Sequence, residues 1–380
     1  MRGLLTMLLA GVALVVPGAL ATAPNALAET SSWVSRPGNA APVRGGAAGK
    51  ARETGSAGKV QRQARAPTPG DESPARDSIR TRTVTDPIKG PKLPAMAPAT
   101  GPDAAYIAYE QGQYVTALQL AKEAAAKGDP QAHTLIGRLH AEGKAVGRDE
   151  TVAAQWYAKA AELGDLEATF LLGVVLAEGR GVQKDRIGAA QLFERAAAKG
   201  HARANYNLGL LFLRGDGKPE NPIRAALHIR YAAEQGITAA QYDIGGMFQK
   251  GNGVDADAYE AARWIGKAAE AGMPEAQYEY AVMLLKGLGL NQDRPRTIPY
   301  LLASANRGIA GAQNRLAYLY LEGAGVPKDP VEAAKWRLLA RRSGLADKDL
   351  DARIARLPRA DRLSAEQAVF AWQERAFLEE

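Results

Sequence analysis

The chain has 380 residues, is 46% hydrophobic and contains no cysteine. Disulfides, thiolate metal sites and a cysteine nucleophile are thereby excluded, and four histidines leave little material for a histidine-based metal centre. The net charge of +7 is unevenly placed: residues 29–102 hold 12 Lys and Arg against 6 Asp and Glu, while residues 103–380 hold 35 of each sign. A neutral body lacks the clustered cations of a duplex binder, so no nucleic-acid partner is expected.

Residues 1–28 read as a signal peptide. Arg2 gives a short positive start, Leu4 to Val16 is an apolar or small-residue run, and Ala26-Leu27-Ala28 fits an A-x-A cleavage site. The run is shorter than the roughly 20 residues of a membrane span. These features predict a cut after Ala28 and a periplasmic or secreted protein. Residues 29–102 carry 10 of the 21 prolines, many Gly, Ser and Ala, and Trp33 as their one aromatic residue. Such a segment buries too little apolar surface to offset its ordering entropy, which predicts a disordered linker. Its basic charge makes it a spacer or a tether for anionic surfaces such as cell-wall polymer.

From residue 128 onward a 36-residue period governs the chain. Gly128, Gly164, Gly200, Gly236, Gly272, Gly308 and Gly344 form one column. Ala168, Ala204, Ala240 and Ala276 belong to a second, and Gly143, Gly179, Gly215, Gly251, Gly287 and Gly323 to a third. A fourth runs Gly137, Gly173, Gly209, Gly245, then Ala281 and Ala317. Registered columns over six units mean a repeat array. Each unit reads as two helices: Leu166 to Glu178 is one, closed by Gly179, and Ile187 to Lys199 is the next, preceded by the potential cap Asp185 and closed by Gly200. Small residues such as Ala168 and Gly173 let neighbouring helices approach where a long side chain would overpack.

The pattern A-x-A-x-x-x-L-G, then G-x-G-V-x-x-D, A-A-x-W and A-A-x-x-G resembles the Sel-like repeat, a relative of the tetratricopeptide repeat. It is plainest in Ala202–Gly236, Thr238–Gly272 and Ala310–Gly344. The resemblance implies an all-α, right-handed α-solenoid of stacked antiparallel helix pairs. It also implies an adaptor or regulator rather than an enzyme; exported bacterial members include envelope regulators, polysaccharide-export scaffolds and host-contact factors. The expected organisation is an opening helix pair over 103–129, six repeats over 130–345 and capping helices over 346–380.

Departures from the pattern carry local predictions. Pro295 and Pro299 enter the second helix of unit five, which should start late or bend. Ala145 replaces the second loop glycine of unit one. Leu350, Ile354 and Leu357 mark an amphipathic helix ended by Pro358. Ser364-Ala365-Glu366-Gln367 reads as a capping box for a last helix to about Leu378, with Val369, Trp372 and Phe377 covering the end of the core.

No catalytic or metal-binding pattern emerges. His140 and His228 fall in columns otherwise filled by large apolar residues, the G-x-G pairs follow helices rather than strands, and neither a serine elbow nor HExxH occurs. No cofactor is expected. By analogy with tetratricopeptide repeats, two positions of each first helix face a concave groove. They nominate Phe170, Tyr206, Tyr242 and Tyr278, with Arg138 and Tyr318, as partner contacts, although tyrosines there could equally pack between helices. The leading reading is a non-catalytic periplasmic scaffold that binds an envelope protein. Alternatives are a peptidoglycan- or envelope-polysaccharide-binding protein, and a cell-wall or β-lactam hydrolase; the latter activity belongs to cysteine-rich relatives, whose cysteines this chain lacks.

Overall fold

The computed structural model describes residues 103–378, with side chains as far as Glu374. The signal-peptide and linker expectations lie outside the described residues. Sixteen helices and no strand occur among those described. An opening pair, α1 (Ala104–Glu110) and α2 (Tyr114–Ala125), is hinged at Gly112. Six first helices follow: α3 (Pro130–Glu142), α5 (Leu166–Glu178), α7 (Ala202–Arg214), α9 (Thr238–Lys250), α11 (Pro274–Lys286) and α13 (Ala310–Glu322). They alternate with six second helices: α4 (Glu150–Glu162), α6 (Arg186–Ala198), α8 (Pro222–Glu234), α10 (Ala258–Glu270), α12 (Arg294–Asn306) and α14 (Pro330–Arg342). The C-terminal helices are α15 (Lys348–Ala355) and α16 (Arg359–Leu378). From α1 to α15 each helix packs on its chain neighbours and α16 packs on α14, so the described residues form an all-α solenoid.

Every second helix opens on a polar cap. Asp149, Asp185, Asn221, Asp257, Asp293 and Asp329 each accept a backbone N–H from the first turn. Despite its prolines α12 starts in the same register as the others and does not start late. Asp293 accepts Arg296 N–H at 2.9 Å, and Pro295 occupies the first turn, where no intrahelical N–H is needed. Pro299 is exposed, so water can reach the carbonyl left without its intrahelical donor.

The glycine columns mark close approaches. A Cβ on Gly173 would lie 2.6 Å from the Phe193 ring, and one on Gly209 or Gly245 2.6 Å from Ile229 or Ile265; Gly137 meets Tyr157 in the same way at 2.7 Å. In the second loop column, Gly181 has φ +65 and its Cβ would meet Thr151 N at 2.5 Å. The loop of one unit therefore rests on the start of the preceding unit's second helix, where Thr151 Oγ1 also donates to Gly181 O at 2.9 Å. Ala145 holds the left-handed conformation without being glycine, at φ 64.

At the far end, α16 begins five residues before the expected capping box. Pro358 O accepts Arg362 N–H, and Ser364 lies within the helix instead of capping it. Ala365 and Val369 are fully buried, and Trp372 donates its indole N–H to Asn306 at 3.1 Å. The Phe377 side chain lies outside those described. Leu350 and Ile354 of α15 are buried as expected.

Gly173→Leu is expected to cost about 1–3 kcal/mol through overpacking against Phe193, measured by chemical unfolding; an unchanged midpoint would refute the packing register. Ala145→Gly should stabilise by about 0.5–1 kcal/mol, relief of left-handed strain outweighing the unfolded-state entropy of glycine. A loss of stability in that variant would show that the alanine is unstrained.

Candidate functional site

The first helices of successive units follow one another along the array, on the face that the tetratricopeptide analogy makes the inner one. Side chains 31 to 37 positions apart join them: Thr134 donates to Asp165 at 3.0 Å, Arg203 to Glu167 at 2.5 Å, and Tyr206 to Asp243 at 2.9 Å. Tyr242 bonds Glu279 in the same phase as Tyr206 bonds Asp243. Two consecutive tyrosines thus hand their hydroxyls to carboxylates of the next unit.

These contacts divide the nominated residues. Phe170 is wholly buried, stacked on His201 at 4.7 Å and set against Phe193, so it offers no surface to a partner. Tyr206 is only 6% exposed and also belongs to the core. For Phe170 the neighbours explain this: besides the Phe193 and His201 rings it meets the Arg203 guanidinium of unit three, 4.7 Å above its face. Tyr242, Tyr278, Tyr318 and Arg138 are half-buried on the inner face. Arg138 pairs with Glu167 at 3.5 Å. Tyr278 lies over Gly311, whose Cβ would be 2.7 Å from the ring. Tyr318 donates to Asp347 at 3.0 Å.

The floor between these tyrosines varies along the array. Val174 and Leu210 fill it in units two and three and are buried. Unit four has Gly246 there, and no atom lies within 4 Å of the place its Cβ would take. This face consequently has open space at Gly246, one helical turn after Tyr242, where the neighbouring units carry a side chain.

Three polar groups, two on this face and one in the core beneath the last repeat, were not singled out from the sequence. Glu167 receives His201 Nε2–H at 3.0 Å as well as Arg203 and Arg138. Burial favours its neutral form, but the His201 hydrogen bond and the Arg203 charge prevail and hold the carboxyl down at about 2. Asp243 is the opposite case: burial pushes it up to about 6, against the Tyr206 hydrogen bond and the Arg214 charge. The third is Arg337, 1% exposed, in the column of Tyr157, Phe193, Ile229, Ile265 and Leu301. It makes a bidentate pair with Asp351 at 2.7 and 2.9 Å and donates to Asn314 and Leu345 O, which fastens α15 to the last repeat. A charged residue interrupting an apolar column was the available signal for Arg337. The run Asn207, Asp243, Glu279, Arg315 in the column of Leu135 and Leu171 was the signal for the inner-face polar groups.

Among the described residues no group of three or more His, Asp or Glu is placed to hold a metal ion, and no helix is long and apolar enough to cross a membrane. His133 caps its own helix turn through Asp129 O and packs on Trp156. His228 faces Asn205 at 2.9 Å and stacks on Phe212.

The Sel1 repeat model matches six consecutive segments, residues 130–165, 166–201, 202–237, 238–273, 274–309 and 310–345. The chain belongs to the Sel1 repeat family. Among solved structures it is similar to a Sel1 repeat protein from Oxalobacter formigenes, at 32% identity and TM-score 0.55, over 64% of this chain and 97% of that one. It is also similar to a protective antigen of uropathogenic Escherichia coli with an SLR fold, at 28% identity and TM-score 0.62, over 71% of this chain. The match spans 62% of that antigen's length. No curated protein matches the chain. Sel1 repeat proteins are generally non-catalytic scaffolds for protein interaction.

Asp243 makes the inner face sensitive to pH. Between about pH 4 and pH 6 the folded chain retains a proton that the unfolded chain has released, so this residue lowers stability as pH rises through that window. Asp243→Asn, which keeps an acceptor for Tyr206, is expected to unfold at higher temperature than the parent at pH 7.5 and at the same temperature near pH 4. Equal midpoints at both pH values would refute the raised carboxyl.

Proposed function

We propose that this Sel1 repeat protein is an exported, non-catalytic adaptor that holds an envelope protein against the inner face of its solenoid. The observation that carries the reading is the opening at Gly246, one helical turn after the half-buried Tyr242, whose counterpart in the next unit, Tyr278, is half-buried too. Tyrosine buries a large area with few rotatable bonds and keeps a polar tip, which suits it to a contact surface. Glu275 and Glu279 lie on the same stretch of the face, so a partner there meets carboxylates as well as rings. The segment Met1 to Ala28, with its basic start, apolar run and A-x-A end, supports export to the periplasm or beyond.

The test is capture of envelope proteins by the full chain and by Gly246→Arg, which fills the opening without removing a contact and replaces glycine by a better helix former. Recovered bait should begin at Glu29. A protein retained by the parent and lost by Gly246→Arg, with unchanged thermal unfolding, is the expected result. Equal capture by both baits would move the site off this face, and capture of nothing would overturn the adaptor reading.

A further inference from the structure

One column of the second helices is aromatic in four of six units: Trp156, Leu192, His228, Trp264, Tyr300 and Trp336. In units four and six the indole is buried: Trp264 and Trp336 are each 2% exposed. Trp264 donates its N–H to Glu260 at 3.0 Å and lies under Arg263 and Lys267 at 4.9 and 4.3 Å. In unit three the imidazole is smaller than an indole, and a cavity of about 390 Å³ opens beside it.

That cavity is bounded by α6, α7 and α8. Leu208 and Phe212 lie in its wall, and His228 stacks on Phe212 with planes only 7° apart. Burial lowers the pKa of His228, which favours a neutral ring. Glu194 and Arg224 stand at the cavity, Arg224 5.8 Å from the Phe212 ring. A carboxylate and a guanidinium also stand beside Trp264 within its own unit. Leu227 at the mouth and Ile223 one helical turn before it are 62% and 65% exposed, two apolar side chains with no covering element among the described residues.

We infer that this outer-face slot receives the indole of Trp33 from the chain's own N-terminal segment. Trp33 is the one aromatic residue between Glu29 and Pro102, with Val34 beside it as a second apolar group. Its immediate surroundings, from Thr30 to Ser35, carry no charge that would oppose the basic side chains at the mouth. Residues 34–102 connect it to α1, and a coil of that length spans roughly 45 Å. The slot lies between the second and third repeats, two to three helix-pair layers from α1 and about 20–30 Å away at about 10 Å per layer. The docked segment would place its neighbours over Leu227 and Ile223. Binding in this way is separate from the inner face, and it stands or falls independently of an envelope partner.

Fluorine NMR of the full chain labelled with 5-fluorotryptophan tests the docking, because the chain has five tryptophans and Trp33→Phe assigns one resonance. The reference is a labelled synthetic peptide of residues 29–40. The Trp33 resonance should be displaced from the peptide position in the parent chain at all protein concentrations. It should return to that position in Leu227→Asp, which alters an exposed rim residue, and in His228→Trp, which fills the slot from within. The Trp264 and Trp336 resonances report that the array is intact in each variant. A Trp33 resonance at the peptide position in the parent, or a displacement that both variants leave unchanged, would overturn the proposal. A displacement that grows with protein concentration would assign the slot to the segment of a second copy and overturn docking within one chain.

Discussion

The distance between the two helices of a unit sets everything else in this solenoid. Where Gly137, Gly173, Gly209 and Gly245 face Tyr157, Phe193, Ile229 and Ile265, the absence of a Cβ lets a large side chain lie directly on the opposing backbone. Dense packing of that kind leaves no slack, so a small residue on one side fixes the large residue on the other. In units five and six the column changes to Ala281 and Ala317, opposite Leu301 and Arg337. The loop glycines act at the next level, seating each unit on the helix start of the one before. A second helix capped in the same way six times then presents the same end to every following loop, which is how a local approach becomes a long-range stack.

Much of this was legible because the array repeats one solution. A helix boundary inferred in unit two is tested by five copies, and Gly179, Asp185 and Gly200 fall where their columns place them. What was less legible is whatever happens once. Pro299 reads as a helix breaker when considered alone, yet it sits on the exposed side of a helix whose first turn is well capped. Ser364 carries the letters of a capping box, but Pro358 has already set the helix going. Buried contacts were harder still. Phe170 and Tyr206 occupy the same column as Tyr242 and Tyr278, and only the neighbouring unit decides which of them is covered. His201 and Arg203 close over Phe170; nothing comparable closes over Gly246.

Charged groups in the array serve its joints before they serve any partner. Glu167 gathers Arg138, Arg203 and the His201 N–H, which makes its carboxylate comfortable despite burial. Asp243 has a tyrosine hydroxyl and more distant cations, and that is too little to offset the loss of water. The difference is one of geometry, since both lie on first helices of similar surroundings. Arg337 shows a third use. In a column that is otherwise apolar it reaches beyond the last repeat and ties down α15, where an aliphatic side chain would have no continuing unit to pack against. A solenoid needs such an ending because its core is otherwise open to water.

Function in a repeat protein therefore belongs at the positions where the period is broken without a structural gain. Arg337 breaks it and fastens a helix, so the array itself accounts for that change. Pro295 and Pro299 break it and alter neither the start nor the length of α12. Gly246 and His228 are different, because each removes bulk that other units supply and each leaves space behind, on the inner and outer faces respectively. Unfilled space beside apolar walls forfeits dispersion contacts, and filling it from within requires only the residue that neighbouring units already carry, Val or Leu for Gly246 and Trp for His228. A chain that keeps both gaps while filling the same positions elsewhere gives up internal packing at two defined places, and an occupant from outside the array is what would restore it.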